Sequence, residues 1–181
     1  MIYHFKLVSD EVSNFSRDIE IDSNATFLDL RNAVLESVGY SKDDMNSFYI
    51  CEKDWSRREE ITLEDMGSSS DRDIWIMSET VLSDLLEDEG QKLIFVFDYI
   101  TERAFFMELK EVIPCQKLAF PKCSDSKGNP PQQQIDVEVF EENLDKEAKK
   151  QVERDMDLDF YGDSEYNDDE LPEGFDDITM N

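Results

Sequence analysis

One histidine, His4, and three cysteines, Cys51, Cys115 and Cys123, are the entire stock of imidazole and thiol in 181 residues. His4 lies in a stretch that reads as an N-terminal strand, where an imidazole is a structural or edge residue rather than a catalyst. Cys115 and Cys123 stand eight apart with no second pair and no nearby His, so zinc-ligand spacing is missing. The odd count argues against a disulfide framework, and the thiols read as buried or idle. Six scattered glycines form no phosphate cradle. Ser68, Ser69 and Ser70 have no base near them in sequence and read as a linker. Among many carboxylates, Asp98 and Glu102 flank an apolar hairpin. Burial would raise the pKa of Asp98 and poise it as an acid. The competing reading has Asp98 accepting from the amides of the turn at the strand end. No catalytic residue, metal-ligand set or cofactor is expected.

The last segment carries part of a calcium-loop pattern. Asp155, Asp157, Asp159 and Asp163 alternate with Met156, Leu158 and Phe160. A calcium loop counted from Asp155 needs Gly sixth and Glu twelfth, where Phe160 and Tyr166 stand. The pattern fails. What remains is a run of acids interleaved with apolar residues, among them Phe160, Tyr161, Tyr166 and Phe175. Such a segment suits folding onto a basic, greasy groove, and those four aromatics are its candidate contacts.

Charge narrows the partners. The net charge is −27, and residues 155–181 hold 11 acidic residues and no Lys or Arg. A surface this negative cannot hold a phosphate backbone and resists an anionic membrane. No apolar run is long enough for a leader or a bilayer span, so a cytoplasmic setting is expected.

The elements that must position these groups follow from period. Ile2–Val8 alternates and reads as a strand, and Val12–Ile21 as its hairpin partner. In the partner, Phe15, Arg17, Ile19 and Ile21 sit two apart, so one face carries Phe15, Ile19 and Ile21. Thr26 starts a helix with Asp29 as its capping-box partner; Phe27, Leu30, Val34, Leu35 and Val38 carry it, and Gly39 ends it. Ser47–Glu52 is a strand, Trp55–Glu60 a turn or irregular link, and Ile61–Gly67 a short element. Ile74–Met77 is a short strand, and Thr80–Glu89 a short helix ending at Gly90. Lys92–Tyr99 is nearly continuous apolar and so central, covered on both faces. Ala104–Ile113 is its partner, stopped by Pro114. Cys115–Gln134 reads as an extended surface segment.

The order of these pieces resembles the plasmid pRiA4b Orf-3-like proteins, from Ile2 to about Pro131. Matching segments are Ile2-Tyr3-His4-Phe5-Lys6-Leu7, Thr26-Phe27-Leu28-Asp29-Leu30-Arg31, Val38-Gly39-Tyr40 and Phe95-Val96-Phe97-Asp98. Pro121-Lys122-Cys123 and Gly128-Asn129-Pro130-Pro131 complete the set. The resemblance implies histidines of the helix, the following loop and the hairpin at Arg31, Asp44 and Phe105. It likewise implies a hairpin Gly, an Asp and a Trp at Ile100, Thr101 and Arg103. Of that polar signature only Asp98 remains. The resemblance thus points to a candidate pocket at Asp98, Thr101, Glu102, Arg103 and Phe105, on a scaffold whose imidazoles have been replaced.

The expectation is an α+β domain over residues 1–135. Its mixed, mostly antiparallel sheet carries one covering helix in a β-grasp-like arrangement. A weakly helical linker at 136–154 and an acidic tail of low order at 155–181 follow. The expected function is a non-enzymatic acidic interaction module for a basic protein partner, with nucleic-acid mimicry as one version. The alternative is a hydrolase or metal-dependent enzyme of unknown substrate.

Overall fold

Alternating apolar residues set the first hairpin. Strands β1 (Ile2–Ser9) and β2 (Ser16–Asp22) pair antiparallel, with Tyr3 opposite Ile21, Phe5 opposite Ile19 and Leu7 opposite Arg17. All six side chains are buried on one face of the sheet. The computed structural model describes residues 1–64 and 75–135. The serines at 68–70, the expected linker and the expected tail, with Phe160, Tyr161, Tyr166 and Phe175, lie outside the described residues.

Helix α1 (Phe27–Val38) has the expected capping box. The Thr26 hydroxyl accepts from the Asp29 N–H at 3.2 Å, and the Asp29 carboxylate accepts from the Thr26 N–H at 2.9 Å. Gly39, at φ +71°, closes the helix in the left-handed region that a side chain disfavours. Phe27, Leu30, Val34, Leu35 and Val38 are buried, and so is Arg31.

The remaining elements are β3 (Ser47–Cys51), β4 (Arg57–Thr62), β5 (Trp75–Ile76), the single turn α2 (Leu82–Leu85), β6 (Lys92–Asp98), β7 (Arg103–Ile113) and β8 (Lys122–Lys127). They complete one eight-stranded sheet in the order β5-β4-β3-β6-β7-β1-β2-β8. Among the described residues only the β4–β5 pair is parallel, so the sheet is mixed and the class is α+β. β6 lies between β3 and β7, with Leu93 through Phe97 all buried, as its continuous apolar run required. One face carries the main core, where Phe5, Phe27, Phe48, Phe95, Phe97 and Phe105 are almost fully enclosed. Each such side chain contributes ~1.5–3 kcal/mol by leaving water. The opposite face holds a small cluster of Cys51, Ile94, Val96 and Ala104 beneath Tyr49, Trp55 and Phe106. Among the described residues no helix is long and apolar enough to cross a membrane.

Four expectations need correction. Residues 12–15, expected as the start of the hairpin partner, lie in a turn closed by the Phe15 N–H donating to the Val12 carbonyl at 3.2 Å, and β2 begins at Ser16. Residues 57–60, expected as irregular link, belong to β4. Polar cross-strand contacts hold it rather than an apolar alternation: the Arg57 guanidinium sits 4.7 Å from the Tyr49 ring centroid, and the Tyr49 hydroxyl donates to Glu60 at 2.7 Å. Trp55, at φ +70°, remains in the turn before it. The helix expected over residues 80–89 lasts one turn, because Leu86 leaves it in an extended conformation and is buried in the core. The Tyr3 hydroxyl then donates to the Leu86 carbonyl at 2.6 Å. Finally, the segment 115–134 contains β8, an edge strand paired with β2. Every β8 side chain is exposed, so no burial pattern marked it in the sequence. Lys122 and Lys127 at its ends discourage further strand pairing.

Candidate functional site

Asp98 ends β6 and faces Arg103, which starts β7. Its Oδ1 accepts from the Ile100 N–H at 3.0 Å and the Thr101 N–H at 3.4 Å, and its Oδ2 accepts from the Thr101 hydroxyl at 2.7 Å. The carboxylate holds the turn together, as the second sequence reading expected. Glu102 is exposed at φ +54°, and Ile100 is the exposed tip of the hairpin.

Arg103 turns inward. Its Nε and Nη2 each donate to Glu11 at 2.8 Å, a two-pronged pair in the geometry that suits guanidinium and carboxylate. Nη2 also donates to the Gln132 carbonyl at 2.7 Å and Nη1 to the Gln133 carbonyl at 3.4 Å. The guanidinium carbon lies 5.1 Å from the Phe97 ring centroid. Phe105, two residues along the same face, is fully buried against Phe97, Phe15 and Tyr40 at centroid distances of 4.6, 5.3 and 5.8 Å. Of the candidate pocket residues, then, Asp98 and Thr101 build a turn and Glu102 faces solvent. Arg103 and Phe105 belong to a packed aromatic and polar cluster.

That cluster extends to the loop after α1. Tyr40 follows Gly39 directly, and its hydroxyl donates to the Pro131 carbonyl at 2.5 Å. Burial pushes the Tyr40 phenol up; the Arg103 charge works in the opposite sense. Arg31 reaches back from the helix: Nε donates to Asn46 Oδ1 at 2.8 Å, and Nη2 to the Lys42 and Asp44 carbonyls at 2.7 and 3.1 Å. Burial lowers the Arg31 pKa, with Asp44 opposing. The Asp44 carboxylate accepts from Gln133 Nε2 at 2.9 Å. Arg31 and Asp44 therefore meet in the loop after α1, and Phe105 reaches that loop through the Tyr40 ring.

Residues 131–134 lie across this cluster as a strap. Gln133 exchanges hydrogen bonds with the Ser41 backbone, accepting from its N–H at 2.7 Å and donating to its carbonyl at 3.0 Å. Gly128, at φ +65°, leads into the strap from β8; a Cβ there would lie 2.5 Å from the Asn14 carbonyl oxygen, so no other residue fits undisturbed. A third buried guanidinium, Arg17, ties this corner together. It donates to the carbonyls of Ser37 at 3.0 Å, Ser16 at 2.8 Å, Lys127 at 2.7 Å and Gly128 at 3.1 Å.

Sequence reasoning singled out Asp98, Thr101, Glu102, Arg103 and Phe105 but missed Glu11, Arg17, Arg31, Tyr40 and the strap as members of one assembly. Arg17 and Arg31 carried a signal: both sit among apolar residues at the core-facing period. The strap carried none, since its partners Tyr40, Ser41, Asp44 and Arg103 lie about 30 to 90 positions away.

His4 stands on the opposite face of the sheet, 3.6 Å from Asp18 and cross-strand from Glu20 and Glu111. Among the described residues, no three His, Cys, Asp or Glu side chains converge as a metal site requires.

The fold is similar to a crystal structure titled as a protein of unknown function, MM3350, from Methanosarcina mazei Go1. The TM-score is 0.60 at 20% identity, covering 97% of this chain and 94% of that one. At that identity the likeness is one of fold. No curated protein matches the chain. The family described as plasmid pRiA4b ORF-3-like protein matches residues 2–173, nearly the whole sequence and both sides of the Arg103 cluster, and the chain belongs to that family.

Proposed function

We propose that this chain is a non-enzymatic, cytoplasmic interaction module that uses an acidic surface and its C-terminal segment to engage a basic protein partner. The observation that carries the reading is where the charges go. Every buried charged residue in the described part is an arginine: Arg17, Arg31 and Arg103. Three cations are thus withdrawn from a chain with 18 basic and 45 acidic residues, while among the described residues no carboxylate is buried. The described surface is more acidic than its formal count, and the sequence of residues 155–181 adds 11 acidic residues and no Lys or Arg. Long-range attraction would speed encounter with a basic partner and weaken as salt rises.

Within this reading, residues 1–135 form the module, 136–154 a linker and 155–181 the acidic partner-binding tail, with Phe160, Tyr161, Tyr166 and Phe175 as apolar contacts. The β-grasp-like description belongs to the same reading, supported by the β1–β2 hairpin followed by α1.

The test is capture from lysate at low and raised salt, with the full chain and with a chain lacking residues 155–181. Basic proteins captured by the full chain at low salt, and lost on deletion or with salt, support the proposal. An identical set captured by both chains at both salt concentrations refutes it.

A further inference from the structure

The way the strap is held points to a recognition groove already occupied in cis. Three successive carbonyls of the strap, on Pro131, Gln132 and Gln133, accept from body side chains: the Tyr40 hydroxyl and the Arg103 guanidinium. Among the described residues, no backbone-to-backbone hydrogen bond joins residues 129–135 to the body, so the strap is not a ladder strand there. Pro131 is buried, Pro130 half-buried, and Gln132 and Gln134 are exposed. Gln133 is read in full by the Ser41 backbone and the Asp44 carboxylate, and Gln134 donates to the same carboxylate at the longer distance of 3.3 Å.

Aromatic hydroxyls and cations reading the carbonyls of a segment rich in proline is how grooves bind polyproline-type ligands, whose main chain offers acceptors and few donors. A segment held by side-chain hydrogen bonds and two prolines, with no backbone ladder, also opens at lower free energy than the sheet it lies against.

We propose that the loop after α1 and the start of β7 form a binding groove for an extended Pro-Pro-Gln segment of another protein, and that residues 130–134 of this chain occupy it as an intramolecular competitor. Tyr40 and Arg103 read the ligand main chain. Ser41 and Asp44 select a glutamine two residues after the second proline. The tethered copy acts at an effective concentration on the order of mM, so an incoming segment must outcompete it. This inference stands apart from the acidic-partner reading, because the ligand is uncharged and the groove lies within residues 1–135.

The test uses the full-length chain and a fluorescent peptide of residues 128–134. A Pro131→Gly, Gln133→Ala chain has its own strap weakened and every groove residue intact. It is expected to bind the peptide about tenfold or more tightly than the wild-type chain does. Adding Tyr40→Phe to that background is expected to weaken the peptide about tenfold through the lost hydroxyl. Equal peptide affinity for wild-type and strap-weakened chains overturns the proposal, as does no binding to a strap-weakened chain with a native circular-dichroism spectrum. A second measurement needs no variant. In isotope-labelled wild-type chain, unlabelled peptide at about mM concentration should move the Gln133 side-chain amide signals to their free positions. Signals that stay put also overturn it.

Discussion

Replacing Arg103 by Lys keeps the charge and removes the planar fork, which isolates what the fork does. Arg103 makes three short hydrogen bonds, two to Glu11 at 2.8 Å and one to the Gln132 carbonyl at 2.7 Å. A lysine ammonium can keep one of these. Two charge-assisted bonds are then lost, each worth roughly 1.5–3 kcal/mol. The Glu11 side chain is 32% exposed, so water recovers part of its solvation and the loss falls toward the lower end, ~3 kcal/mol. For a domain of this size that lowers the melting temperature by ~10 °C. Urea unfolding followed by Trp55 and Trp75 fluorescence gives the stability. A double-mutant cycle with Glu11→Gln separates the ion pair from the strap contact and should show a coupling of ~1–2 kcal/mol. An Arg103→Lys chain within ~0.5 kcal/mol of wild type, or no coupling to Glu11, would mean that the fork adds nothing beyond its charge.

Gly128→Ala must move the Asn14 backbone and occupy a positive φ, which should cost about 2–4 kcal/mol by the same unfolding measurement. Thr26→Ala removes the hydroxyl half of the α1 capping box and should lower stability by ~1 kcal/mol in urea unfolding. The Tyr49 phenol is pushed up to about 12, first by burial and then by its hydrogen bond to Glu60. Because the folded value lies above the unfolded one, the stabilisation linked to it is complete below the ordinary value of 10.0 and is lost as pH rises through about 12. Burial also raises Tyr3, Tyr40 and Tyr99, so ultraviolet titration should show a late-ionising group of tyrosines whose amplitude falls by one in Tyr49→Phe, and a late amplitude unchanged by that substitution would contradict the assignment. Arg17→Met leaves the Ser37, Ser16, Lys127 and Gly128 carbonyls without their donor and should cost about 3 kcal/mol or more, measured as a shift in urea midpoint.

The parts of the fold legible in the sequence are those where burial leaves a period. Tyr3, Phe5 and Leu7 alternate, Leu30, Val34 and Val38 recur at helical spacing, and Leu93–Phe97 run unbroken; each was read as the element it forms. β8 was not legible, because Lys122–Lys127 buries neither face and is fixed only by main-chain pairing with β2. β4 was missed for a related reason: one buried residue, Ile61, cannot make a pattern, and its ion–aromatic contacts depend on where β3 lies. At the site, Asp98 was legible as a turn acceptor because that role is local. The link from Arg103 to Glu11 spans 92 positions, and no local spacing could reveal it.

Arg17 also acts as a register check on the first hairpin. The last turn of α1 contains no basic residue of its own, and the cation meeting its Ser37 carbonyl arrives from β2. A one-residue slip of β2 would turn Ile19 and Ile21 outward and pull the guanidinium away from the helix end and from the Lys127 and Gly128 carbonyls together. Misregistered hairpins would thus forfeit the helix docking and the edge strand at once. Strand slippage in this domain should be punished as a whole, so that hairpin, helix and last strand assemble as a single cooperative unit.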